Sequence, residues 1–464
     1  MSSRVIQIDS HRPGQESALE IFERTKLREQ RMSRLLVFYI VSGLAFMLLP
    51  GTFLGVWNLI HISSRHAADS ISAPWIQAHG HAQFFGWIGS FILGIGFYSI
   101  PSVRTKFAIS RGWLCAVMWV TGVALRWVTN VYLWQWRVML PISAVLELSA
   151  FLIFFRAVSQ HEANADEEGK KKLDPWVWIV VVGTLGFLSS LVMNLGASIY
   201  LSVRGADPAF PFEFDQRFLV MCAWGFLVPF VWGFSTKWLP TFLGLKATNI
   251  ELLTVAVAVN TLGVLTAQFG YFRLATVLLL HGVLFAALAL RMFEPARQPA
   301  KTKGVHPSFP YFVRSAYAWL IVAAALGIWA AQTQQAAGIW GASRHALTVG
   351  FIAVMVFSIG QRVLPAFSGM KLLFSPRMMF SALSLLSIGC ILRVSSEILS
   401  YQEISTLAWK VLPVSAVLEL TGVTLFALNL ILTFMRRPAH LQKEQASTTW
   451  PAAKLAHKES QRGI

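Results

Sequence analysis

Long apolar stretches separated by short polar turns make up most of the chain. An α-helix of about 20 residues spans the hydrocarbon core of a bilayer, and twelve stretches of roughly that length carry few or no charges. The pattern therefore predicts an all-α polytopic membrane protein with about 12 transmembrane helices. The predicted spans are residues 35–57, 79–101, 112–133, 137–156, 175–201, 216–240, 250–269, 271–292, 312–334, 343–365, 378–400 and 411–435.

Composition changes the expected number of domains. A soluble chain of 464 residues would usually divide into several domains, but this one is 55% hydrophobic and only 13% charged. We therefore predict a single transmembrane domain at residues 35–435, in contact with the lipid bilayer, with polar tails at 1–34 and 436–464. The three cysteines lie inside apolar runs without paired spacing, so they predict no disulfide framework.

The net charge of +17 raises the question of a nucleic-acid partner. Most of the excess Lys and Arg lies in the two tails and in alternate loops, as the positive-inside rule requires of a membrane protein. This distribution indicates that both termini face the cytoplasm and that nucleic acid is not a partner. It also places His79, His81 and His345 near the outer surface.

The chain repeats itself. The stretch Trp136–Leu148 recurs as Trp409–Leu420, and each copy is preceded by an intramembrane Gly-x-x-Leu-Arg motif, at Gly122–Arg126 and at Gly389–Arg393. Self-similarity of this kind indicates repeated structural units. We predict three pseudo-repeated four-helix units at about residues 35–156, 175–292 and 312–435.

Two histidines occupy equivalent positions in the first and third units. His81 and His345 match each other, whereas the middle unit has Val220 at that register. Residues two apart on a helix point about 200° from each other, so a regular helix does not direct both His79 and His81 at one iron. We predict His81 and His345 as axial ligands of one haem, with His79 as a hydrogen-bond partner or a ligand of a second metal. The alternative is that these histidines cap helices at the outer interface, where water satisfies them.

Three arginines accompany the histidines. Arg126 and Arg393 lie within apolar helices at about the depth of the histidines, and Arg344 adjoins His345. A buried guanidinium group needs an anion, and haem propionates or an anionic intermediate would serve. The alternatives are snorkelling to the headgroups and an internal ion pair.

Other titratable residues suggest two further roles. Glu147, Glu419 and, in the middle unit, His281 are proton-relay candidates, with a plain interhelical hydrogen bond as the alternative. His61 and His66, in the predicted outer loop, could hold copper with His79, although loop histidines are usually solvated. The sequence contains no Cys-x-x-Cys-His attachment site, so a haem would be non-covalent, and we expect one of b type.

Two motifs carry a resemblance to known families. HGHAQFFGW at residues 79–87 and RHALTVGFIAVMVFSIGQRVLPAFSG at residues 344–369 are similar to the NnrS family. The helix count, the units and the ligand positions also resemble the catalytic subunit of haem-copper oxidases and nitric oxide reductases. The resemblance implies a haem- and copper-containing protein of the bacterial inner membrane, with nitric oxide or a related small molecule as its partner, that acts against nitrosative stress.

The chain also departs from the oxidase pattern. Oxidases carry His-x-His on helix ten, but Ser343 stands at the first of these positions, and residues 216–240 and 250–269 contain no histidine. The resemblance therefore does not imply a binuclear dioxygen site. Whether the protein is an enzyme stays open, as does its oligomeric state. The alternatives are a nitric oxide or quinol-linked oxidoreductase and a non-haem transporter that uses the intramembrane Arg and Glu residues.

Overall fold

A computed structural model of the protein describes residues 18–67, 70–99, 106–159, 174–333 and 337–436. Within these ranges the regular elements are all helices. The predicted tails up to residue 17 and from residue 437 lie outside the described residues, as does Pro101 at the predicted end of the second span.

In these ranges twelve helices follow one another, and four of them contain an internal π-helical segment. They are α1 (Ala18–Phe46, Met47–Phe53 and Leu54–Arg65), α2 (Ala73–His81, Ala82–Gly89 and Ser90–Ser99), α3 (Lys106–Tyr132), α4 (Trp136–Ser159), α5 (Pro175–Arg204), α6 (Phe212–Val220, Met221–Leu227 and Val228–Leu243), α7 (Ile250–Gln268), α8 (Phe272–Ala289), α9 (Phe309–Gln332), α10 (Ala337–His345, Ala346–Ala353 and Val354–Phe367), α11 (Pro376–Tyr401) and α12 (Leu407–Met435). Among the described residues, every helix except α2 is long and apolar enough to cross a bilayer by itself. The predicted all-α membrane architecture is confirmed.

Helix packing follows the predicted three units. Within each unit the first helix packs extensively on the second and the third on the fourth: α1 with α2 and α3 with α4, α5 with α6 and α7 with α8, and α9 with α10 and α11 with α12. The fourth helix of each unit also packs against the first helix of the next: α4 on α5, α8 on α9 and α12 on α1. The three units therefore close into a ring.

The second helix of each unit lies inside this ring. In α6 and α10, 78% and 67% of the most apolar stretch is buried, against 50% or less in the other candidate spans. The histidine-bearing helices α2 and α10 therefore lie in the inner layer, where their side chains face other helices rather than lipid.

Each inner helix changes its winding at the same place. The π-helical segments of α2, α6 and α10 begin directly after His81, Val220 and His345. A π-helical segment adds a residue to the turn and shifts the faces of the helix that follow it, and such segments are frequent at functional sites. The predicted equivalence of these three positions is therefore visible in the backbone.

Glycine permits a close approach between α5 and α6. A Cβ atom added to Gly186 on α5 would lie 2.0 Å from the carbonyl oxygen of Gly225, in the π-helical segment of α6. Such a contact is possible only between two backbones without a side chain between them.

We predict that Gly186→Ala destabilises the bundle, because the methyl group must push α5 away from α6. Overpacking of this kind typically costs about 1–3 kcal/mol. Thermal unfolding of detergent-purified protein measures the effect. The matched control is Gly196→Ala on the same helix, where a Cβ atom meets no atom within 4 Å; equal unfolding temperatures of the two variants would contradict the prediction.

Candidate functional site

A cavity of about 640 Å³ lies between α1, α2, α6, α10 and α11, with a single side chain from α3 and several from α12 in its wall. This volume falls within the range of small-molecule binding sites. Its lining is mainly apolar, with a small set of charged and titratable side chains: His79, His81, His345, Arg126, Arg344, Arg393, Asp215, Glu397 and Glu419. The structure therefore brings the three histidines and the three arginines singled out in the sequence to one cavity.

His81 is buried and is held by a carboxylate from α4. Its Nε2 lies 2.8 Å from Oε1 of Glu147, and its ring stacks on Phe85 with 4.7 Å between the ring centroids. The other carboxylate oxygen, Oε2, accepts a hydrogen bond from Nδ2 of Asn194 at 3.3 Å. One nitrogen of the His81 ring is therefore engaged within the protein.

Arg126 is also buried rather than snorkelling. Its Nη1 donates to Oδ1 of Asn194 at 3.3 Å and to Oγ of Ser198 at 3.1 Å, and its guanidinium group lies 4.7 Å from the centroid of the Phe210 ring. Asn194 thus connects Arg126 to Glu147. The Nε atom of Arg126 has no hydrogen-bond partner among the described residues.

His345 is held by its own helix and by α11. Its Nδ1 donates to the carbonyl oxygen of Gly341 at 2.9 Å and lies 3.1 Å from Oε2 of Glu397. Nη2 of Arg393 lies 3.4 Å from Nε2 of the same ring, and Nε of Arg393 lies 3.5 Å from Oε2 of Glu397. These contacts form a cluster of one buried acid, one largely buried guanidinium group and one half-buried imidazole.

The two repeat-related histidines use acids from different helices. His81 contacts Glu147 on the fourth helix of its unit, whereas His345 contacts Glu397 on the third. The position in α3 that corresponds to Glu397, four residues after the motif arginine, is Asn130, which donates to a backbone carbonyl group. Asn130 carries no charge, and in the first unit the acid that contacts the histidine comes from α4 instead.

Glu419 is the counterpart of Glu147 in the third unit. Each carboxylate side chain packs against the motif glycine of its unit, Glu147 on Gly122 and Glu419 on Gly389. Oε1 of Glu419 is nevertheless buried without a hydrogen-bond partner among the described residues. An unpaired oxygen at the cavity wall is available to a bound molecule.

His79 is held by α1. Its Nδ1 donates to the carbonyl oxygen of Gly51 at 2.8 Å, and its ring lies directly against Gly55. The neighbouring Gln83 donates to Oγ1 of Thr52 at 3.0 Å. These contacts leave Nε2 of His79 without a hydrogen-bond partner among the described residues.

Arg344 and Ser343 have different surroundings although they are adjacent. Arg344 lines the cavity, as does Asp215, and the Nη2 atom of Arg344 is buried without a hydrogen-bond partner among the described residues. Ser343 is turned away, and its Oγ donates to the carbonyl oxygen of Ala323 at 2.8 Å.

Three other predicted residues do not reach the cavity. His61 lies inside the last turns of α1 next to Trp57, because this helix continues to Arg65 and does not end in a loop at residue 57. His66, just after α1, stacks on Trp409, and His281 is exposed on the surface of α8. Among the described residues, no group of three or more His, Cys, Asp or Glu side chains is arranged to hold a metal ion.

Four cavity or support residues were not singled out in the sequence: Glu397, Asp215, Asn194 and Gly51. Glu397 could have been found, because it follows Arg393 by four residues and so shares its helix face inside an apolar run. The roles of Asn194 and Gly51 depend on contacts between distant helices, which no local spacing indicates.

We predict that Glu397→Gln destabilises the protein, because it leaves the charge of Arg393 without its nearest anion. Removing one partner of a buried pair costs on the order of 3 kcal/mol. Chemical unfolding in detergent measures the loss, with Glu251→Gln at an exposed position of α7 as the control. If both variants unfold at the same denaturant concentration, the cluster contributes no stability.

Comparisons with known proteins agree with this fold. Residues 223–430 match a family described as a domain of unknown function, DUF8744, which covers less than half of the chain. No curated protein sequence matches the chain significantly. A haem-copper terminal oxidase dimer solved by electron cryo-microscopy is similar in structure, with a TM-score of 0.67, 13% identity, and coverage of 88% of this chain and 85% of that chain. The protein therefore has a haem-copper-oxidase-like membrane fold.

Proposed function

We propose that the protein binds one non-covalent haem in this cavity and acts in the nitric oxide or nitrosative-stress response, as the NnrS resemblance implies. The supporting observation is that histidines from α2 and α10 and three arginines from α3, α10 and α11 line one cavity of about 640 Å³. The proposed location is a bacterial inner membrane with both termini in the cytoplasm.

The histidines fit a metal-binding role. A metal-bound histidine almost always donates its other ring N–H group to a carboxylate or a backbone carbonyl group. His79 contacts the Gly51 carbonyl oxygen, His345 contacts the Gly341 carbonyl oxygen, and His81 contacts Glu147. In each ring one nitrogen contacts a protein oxygen atom, and this contact orients the ring. The three rings fit a metal-binding role without all of them having to bind metal.

The arginines fit the acidic edge of a haem. Arg344 and Arg393 have buried guanidinium N–H groups without hydrogen-bond partners among the described residues, and propionate groups would satisfy them. Phe85, Trp87 and Phe218 line the cavity and provide apolar surface for the macrocycle. A bound haem would supply an iron that takes up and releases one electron.

Copper does not fit the predicted loop site. His61 packs beside Trp57 and His66 stacks on Trp409, and neither lines the cavity with His79. The described residues offer these two histidines no third ligand. The proposal is therefore confined to haem.

We predict that protein purified in detergent shows a haem Soret band and that His345→Ala loses it or shifts it. We expect this loss because His345 is the histidine through which α10 would bind the haem in the cavity. Optical spectra of the oxidised and reduced protein measure this, with His306→Ala, in the turn before α9, as a control that keeps the band. A colourless wild-type protein would contradict the haem proposal and favour the transporter alternative, which uptake into liposomes tests.

We also predict that expression of the wild-type protein shortens the growth lag of nitric-oxide-sensitive bacteria exposed to nitric oxide, whereas His345→Ala does not. Growth curves with and without a nitric oxide donor measure this. Equal lags would contradict the proposed role. Steady-state nitric oxide consumption by purified protein with an electron donor would instead identify an oxidoreductase.

A further inference from the structure

We infer that His79, rather than His81, is the α2 ligand that pairs with His345 on the haem iron. This inference rests on the proposed haem binding and specifies its ligands. The sequence pattern predicts His81 for this role because His81 matches His345 in the repeat. The contacts of the three rings point to a different pairing.

The hydrogen bonds determine which nitrogen of His79 carries a lone pair. The partner of Nδ1 is the carbonyl oxygen of Gly51, which only accepts, so Nδ1 must carry the hydrogen atom. In a neutral imidazole the lone pair then lies on Nε2. Since Nε2 has no protein partner among the described residues and His79 lines the cavity, this lone pair is available to iron.

His345 presents the same nitrogen in the same way. Its Nδ1 donates to the carbonyl oxygen of Gly341 at 2.9 Å, so its lone pair also lies on Nε2. The Arg393 contact to this atom is long, at 3.4 Å, and therefore weak. His79 and His345 line the same cavity. The two rings thus form a matched pair at one cavity.

His81 is engaged differently. Its Nε2 is 2.8 Å from Glu147, whose other oxygen is bound to Asn194, so using Nε2 for iron would break a buried network. The remaining nitrogen, Nδ1, is flanked by the Cβ atom of the same side chain. A planar macrocycle bound there would crowd the α2 backbone.

The α1 helix is shaped around the His79 ring. The π-helical segment Met47–Phe53 contains Gly51, whose carbonyl group accepts the His79 hydrogen bond. A Cβ atom on Gly51 would lie 2.6 Å from the Gln83 side chain, and one on Gly55 would lie 2.6 Å from Cε1 of His79. Gly55 therefore makes room for the ring itself, and Gly51 makes room for the neighbouring Gln83 side chain.

The test compares the haem content and optical spectra of detergent-purified His79→Ala, His81→Ala and His345→Ala. We expect His79→Ala and His345→Ala to lose the low-spin bis-histidine spectrum, and His81→Ala to keep it. Added imidazole should restore the low-spin spectrum in His79→Ala, because the small ligand can occupy the space of the deleted ring. Loss of the spectrum in His81→Ala with retention in His79→Ala would overturn the inference but leave haem binding intact.

A second variant covers the case in which His79→Ala fails to fold. Gly55→Ala keeps the imidazole but displaces the ring, so we expect at least a tenfold weaker haem affinity with an unchanged elution profile in gel filtration. Gly196→Ala is the matched control and should bind haem as the wild type does. Wild-type affinity in Gly55→Ala would contradict the role of His79. Absence of haem from the wild type would instead contradict the proposed function itself.

Discussion

A polar group removed from water must find a partner inside the protein, and this requirement organises the cavity. Arg126 meets it with Asn194 and Ser198, His81 with Glu147, and His345 with Gly341 and Glu397. Among the buried atoms of the described residues that do not meet it, those on Arg344, Arg393 and Glu419 lie at the cavity wall. Their position there is what distinguishes a binding site from a packed interior.

The three units provide a symmetric frame that carries an asymmetric site. Their inner helices change winding at equivalent positions, but only α2 and α10 carry a histidine there, while α6 has Val220. The acids differ as well, because Glu397 has the uncharged Asn130 as its counterpart. The repeat therefore explains where the backbone places functional groups, and the substitutions within it explain why the cavity lies near α2 and α10.

The architecture could be predicted from the sequence because membrane helices are encoded locally, by the length of apolar runs. The equivalence of His81, Val220 and His345 was likewise visible in repeated motifs. The end of α1 could not be predicted in this way, since residues 58–65 are only moderately apolar yet remain helical. The partner of His79 was also inaccessible, because the π-helical segment around Gly51 depends on how α1 meets α2.

In the ring, α12 packs on α1 in the same way as α4 packs on α5 and α8 packs on α9. The last two pairs are consecutive in the chain, whereas α12 and α1 are not. The helix interfaces of the ring therefore do not depend on where along the ring the chain termini lie. A circular permutant opened between α4 and α5, with a linker from α12 to α1, would retain every helix pair described above. In such a chain the order of synthesis would change, so that the second unit enters the membrane first and the two histidine-bearing units become neighbours in sequence.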